Sequence, residues 1–126
     1  MSWITSQRGR QVNYTMSRIE IKDLEVLNLH PILIPIAEEV MKIYDLRMIT
    51  CGYRPGDPGV HGQMPTRGVD LRCWDRTLAG KVEQETNEKW IYDPDRPLMQ
   101  VCVAHDTGQG FHLHLQVHRN TVAWIE

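Results

Sequence analysis

A small α+β domain, with a mainly antiparallel sheet and helices packed on one side of it, is the fold class this sequence predicts. Three observations predict it. Residues 31–44 place Ile36, Val40 and Ile43 on one helical face; residues 68–74 alternate, with Val69, Leu71 and Cys73 on one side and Asp70 and Arg72 on the other; and residues 111–118 alternate without a break. The first is a helix period and the other two are strand periods, so one short chain carries both.

In chain order, residues 1–17 are polar without a sustained period and read as a loosely ordered arm. Residues 19–29 alternate briefly and then crowd their apolar positions, as a short ordered segment leading into a helix does. Pro31 suits the first turn of the main helix, and Pro35 either shares that turn or kinks the helix. Residues 46–51 form a strand that breaks at the turn-rich stretch 52–59, and 68–74 form the next strand. Residues 76–90, charged but carrying Leu78, Val82 and Trp90, predict a surface helix in part of their length. Residues 98–104 and 111–118 are the last strands, and the short connection 106–110 predicts that they form a hairpin. No repeat, low-complexity tract or linker divides residues 1–126, which read as a single domain.

Composition limits the function classes. At 126 residues with 41% hydrophobic and 24% charged side chains, the chain can bury a core without a disulfide or a metal, so any metal site must be argued from its ligands. A net charge of -2, from 14 basic against 16 acidic residues, lacks the excess that binding to nucleic-acid phosphates draws on. No apolar run reaches the roughly 20 residues of a membrane span, and the first residues lack a secretory pattern. The expectation is a protein made in the cytoplasm, with no membrane and no nucleic-acid partner. Cys51, Cys73 and Cys102 contain no CxxC pair and read as core thiols. GxSxG, Walker A, HExxH and GxGxxG motifs are absent.

The chemistry concentrates in a few positions. On strand 111–118, Phe111, Leu113, Leu115 and Val117 face a core while His112, His114, Gln116 and His118 share the other face. Two His one residue apart on a strand stand about 6–7 Å apart at Cα, so they can serve one divalent ion or act as ligand and neighbour. His61 ends the Gly/Pro-rich loop, and Asp70 lies on the polar face of its strand. Together these residues offer the nitrogen and oxygen donors that zinc accepts, although a His-rich strand face without metal uses the same residues.

The series Ile49-Thr50-Cys51-Gly52-Tyr53-Arg54-Pro55, His61, Arg67-Gly68-Val69-Asp70-Leu71 and His112-Leu113-His114 resembles the D-alanyl-D-alanine carboxypeptidase family of zinc peptidases. That family includes phage L-alanyl-D-glutamate endolysins and shares its fold with the hedgehog signalling domain. The resemblance covers about half the chain. It implies that His61, Asp70 and His114 bind zinc and that Arg54 holds a substrate carboxylate or the developing oxyanion. It also implies a peptidoglycan peptide as substrate, and a phage lytic or virion-associated protein that reaches the cell wall after release or on the particle. Two departures stand out. His61 and Asp70 are nine positions apart, wider than the family's usual spacing, and Phe111 occupies the place of the acid that many family members use as base. His112, on the same strand face as His114, is therefore expected to be the general acid/base, with Asp106 its helper if the hairpin turn folds back over the site. The alternative is a non-catalytic zinc-binding phage module on the same fold.

Overall fold

The computed structural model describes residues 17–18, 28–106 and 111–124. In chain order they form β1 (Ser17–Arg18), α1 (Leu33–Tyr44), β2 (Met48–Cys51), a 3-10 turn (Val60–Gly62), β3 (Gly68–Arg72), α2 (Arg76–Lys89), β4 (Trp90–Ile91), β5 (Cys102–Asp106), β6 (Phe111–Gln116) and β7 (Val122–Ala123). The main sheet has the order β1-β2-β3-β6-β5 with every pairing antiparallel, and β4 pairs with β7 in a second, two-stranded sheet. The α+β class read from the sequence is the class observed. Apart from Ser17, the N-terminal arm lies outside the described residues, as do residues 107–110 of the hairpin connection.

One face of the main sheet builds the core. Val69 and Leu71 of β3, Leu113 and Leu115 of β6, and Cys102 of β5 are buried with Leu33, Ile36, Ala37, Val40 and Met41 of α1 and Ala79 and Val82 of α2. The register pairs Val69 with Leu115 and Leu71 with Leu113, so the apolar parity of two strands coincides and both helices cover the same side. Ile43, expected on the buried face of α1, is instead 61% exposed, because the helix turns Met41 and Val40 inward. Pro35 sits in the first turn of α1, where its missing N–H costs no helical bond.

The helix α2 spans the whole of 76–89. Asp75 caps it by accepting from the Thr77 and Leu78 amides. It also protects the sheet edge: Asn87 exchanges two hydrogen bonds with the Cys102 backbone, and Glu83 accepts from the Ala104 amide. This docking explains why β5 begins at Cys102 and runs to Asp106, four residues later than the apolar run from Leu98 suggests. Leu98 itself is 95% exposed.

Candidate metal centre

The face of the sheet away from the helices carries the polar parity. Asp70 pairs in register with His114, Arg72 with His112, and on the other side of β6 Val103 pairs with His114 and His105 with His112. Direct cross-strand neighbours have Cβ atoms about 4.5–5.5 Å apart, so the register alone gathers these imidazoles around one carboxylate. His61 arrives from the loop. Its 3-10 turn is tied down by the Arg54 amide donating to the His61 carbonyl, at 2.7 Å, and by the close pass of Gly62 against the Asp57 carbonyl.

Asp70 Oδ1 lies 2.7 Å from His114 Nδ1 and 3.3 Å from His61 Nε2, and the two rings meet edge-on with centroids 5.2 Å apart. The other nitrogen of each ring is committed elsewhere. His61 Nδ1 donates to the Gly52 carbonyl at 2.7 Å, and His114 Nε2 donates to Gln116 Oε1 at 3.0 Å. Gln116 is oriented for this by its own amide nitrogen, which donates to the Gln100 carbonyl. His61 Nε2 and His114 Nδ1 thus both face one carboxylate oxygen, an arrangement that protons on the rings or a bound cation would stabilise. With protons on the rings, burial alone would depress the His61 pKa, but the hydrogen bonds and charges of Asp70 and Cys51 outweigh it and raise it to about 10. Burial likewise disfavours the Asp70 carboxylate, yet the hydrogen bonds from His114 and His61 hold its pKa well below the usual range.

A divalent ion at this point would face His61 Nε2, His114 Nδ1 and Asp70 Oδ1. Donors around a tetrahedral zinc stand roughly 3–4 Å apart, comparable with the separations here. Second acceptors on the far nitrogens, here Gly52 and Gln116, are how metal-bound imidazoles are oriented. Cys51, His61 and Asp70 also lie close enough to hold a metal ion, with ligand atoms all within 4.8 Å of one another. Among the described residues the set close enough to hold an ion is therefore Cys51, His61 and Asp70, and His114 adjoins it through its contact with Asp70.

Cys51 reaches this face through an irregularity in β2. Ile49 pairs with Leu71 on the core side, but Cys51, two residues on, pairs with Asp70, the immediate neighbour of Leu71. The extra residue, Thr50, forms a β-bulge that turns Cys51 outward. Cys73 and Cys102 are buried as core thiols; Cys51, expected with them, is half-buried at the site. Its Sγ accepts from the Arg54 guanidinium at 3.0 Å and lies 3.7 Å from His61 Nδ1.

The other expected residues reach this face unevenly. Arg54 lines the same end of it through Cys51, is 58% exposed, and pairs with Asp57 at 2.9 Å. His112 Nε2 stands 3.8 Å from Asp70 Oδ2. The structure does not bring Asp106 to this row: it pairs in register with Phe111, on the core parity, and its carboxylate meets Arg76 of α2 at 3.6 Å. His118, one period beyond Gln116, lies past the end of β6 and packs on Tyr92 beside Asp93. His105, beside Asp106 in sequence, was not among the expected ligands. Its ring lies 4.5 Å from that of His112 and 6.2 Å from that of His114, and its Nε2 is buried with no hydrogen-bond partner among the described residues. Such an atom costs about 1–3 kcal/mol. Burial, then the neighbouring His112 and His114, lower its pKa.

No family model, no curated protein and no solved structure matches the chain. No described helix is long and apolar enough to cross a membrane.

Proposed function

We propose that the chain is a zinc-dependent peptidase acting on the peptides of bacterial cell-wall peptidoglycan, in a phage or prophage lytic or virion-associated setting. The observation that carries this reading is the convergence of His61 Nε2, His114 Nδ1 and Asp70 Oδ1 on one point of a sheet face, with their far sides already hydrogen-bonded. The order of these residues along the chain, with Arg54 before them and His112 beside the last, is that of the peptidases the sequence resembles.

In this reading His61, Asp70 and His114 hold the zinc, which when bound polarises a scissile carbonyl and acidifies water. The other oxygen of Asp70, Oδ2, faces His112 Nε2 at 3.8 Å. His112 takes a proton from the attacking water at Nε2 and returns it to the leaving amine. Arg54, charged and exposed at the loop end of the face, offers its outer N–H groups to a substrate carboxylate while Asp57 steadies it. Asp106, paired with Arg76, holds the end of β5.

Incubating purified peptidoglycan with the zinc-loaded protein should release free amino groups, and a chelator should stop the release. His112→Ala should lower the rate by at least about 100-fold at equal zinc content, the usual scale of a lost acid/base. A zinc-bound wild type that frees no amine would overturn the reading. One observation favours the alternative, a non-catalytic zinc module: with Cys51 as fourth ligand the site would be closed, as structural zinc sites are.

A further inference from the structure

We infer that Trp74, backed by Arg72, is a sugar-stacking subsite at the end of the polar sheet face, so that the substrate is a peptide still attached to its glycan strand. The inference rests on the peptidase reading and names the part of that substrate which the metal ligands and His112 do not reach.

Four observations lead to it. Cys73 is buried in the core, so its neighbours Arg72 and Trp74 turn to the opposite side, in line with Asp70. Arg72 is the register partner of His112, which places it one step along β3 from the Asp70 row. The Arg72 guanidinium lies over the Trp74 ring, 4.5 Å from its centroid, and so fixes one face of the indole. The residue is nevertheless 70% exposed, which leaves the rest of the ring to solvent. Trp124 shows the contrast: it is 60% exposed after β7 of the second sheet, and among the described residues no cation lies over its ring. Single exposed apolar residues are common, whereas an indole held in one orientation beside a polar row is arranged to receive something.

The shape of this subsite selects its ligand. An apolar side chain gains most from a closed pocket, and a flat exposed ring offers none. A pyranose presents a flat C–H face with hydroxyl and amide groups round its rim, which matches an indole with an apolar face and an N–H at its edge. A nucleobase would stack too, but a net charge of -2 gives its phosphates nothing to bind. Trp74 is four positions beyond Asp70, at most about 13 Å along an extended chain. Three or four residues of extended peptide span that distance, so sugar and scissile bond can be held together.

The test uses the full chain and two probes. The first is chitotetraose, a chain of N-acetylglucosamine, titrated while the indole N–H signals are followed by nuclear magnetic resonance. Wild type should bind it saturably with shifts at Trp74. Trp74→Ala should weaken binding by about 10-fold or more, Trp74→Phe should retain most of it, and Trp124→Ala should match wild type. The second probe is one wall peptide with and without its sugar. Trp74→Ala should raise KM about 10-fold on the sugar-linked peptide, leave kcat and zinc content unchanged, and cleave the bare peptide as wild type does. Wild type that does not bind chitotetraose, or Trp74→Ala that binds it as tightly, overturns the inference. So does an equal loss on both peptides, which would make the indole a peptide contact. Cleavage indifferent to the sugar and to Trp74 overturns the inference alone and leaves the peptidase standing. Saccharide binding that is lost in Trp74→Ala, with no amine released from any wall substrate, supports the subsite and overturns the peptidase.

Discussion

Changing Asp70 to Asn keeps the side chain's shape but removes the anion that faces His61 and His114, so zinc affinity should fall by more than about 100-fold, the upper end of what a lost outer partner costs. Gln116→Leu removes only the acceptor behind His114, and should cost about 10–100-fold; equilibrium competition with a chromophoric chelator measures both. A second outcome concerns pH. In the metal-free protein the His61 pKa is raised above its unfolded value of 6.5 to about 10, so its contribution to stability is complete below 6.5 and is lost as pH rises through about 10. Thermal melts in chelator should therefore show stability declining over that window, and His61→Gln should flatten the decline. Zinc affinity should rise over the same range, because metal binding displaces the proton. At this scale the sequence was only partly legible. Alternation along 111–118 put His112, His114 and Gln116 on one face, but the hydrogen bond that makes Gln116 matter depends on Gln100, a residue 16 positions away.

The elements decide which residues reach the site. Strict alternation in β2 would place Thr50 opposite Asp70 and turn Cys51 into the core, and only the bulge reverses this. No sequence signal marks it, because neither Thr50 nor Cys51 is a residue that bulges demand. His105 was missed for a related reason. Reading the strand as 98–104 left it in the turn, whereas the docking of Asn87 and Glu83 on the β5 edge shifts the strand onward and gives His105 the parity of Val103. The loop that delivers His61 depends on a close backbone approach: a Cβ at Gly62 would lie 1.7 Å from the Asp57 carbonyl oxygen. Gly62→Ala should accordingly displace the loop, lowering zinc affinity about 10-fold or more by analogy with a lost orienting contact. Far-ultraviolet circular dichroism should stay close to wild type, since β3 and β6 do not rely on that loop.

In the molecule as a whole, one sheet keeps packing and chemistry on opposite faces: Leu113 and Leu115 hold the helices while His112 and His114, between and beside them, hold the polar cluster. This division was the most legible feature of the sequence, since a period of two states it directly; the pairing of Asp70 with His114, 44 residues apart, is set only by the register. Leu113→Ala, in the middle of that core, should cost about 2–5 kcal/mol and lower the melting temperature of sheet and helices together in one transition. His114→Ala, on the other face of the same strand, should leave that transition of the metal-free protein much less changed. The most direct measurement is zinc affinity by chelator competition, comparing wild type with His61→Ala, Asp70→Ala, His114→Ala and Cys51→Ala. A centre built on His61, Asp70 and His114 predicts tight binding in wild type, near-complete loss in the first three variants and only a modest change in Cys51→Ala; wild type without zinc, or His114→Ala binding within a few-fold of it, would contradict that centre.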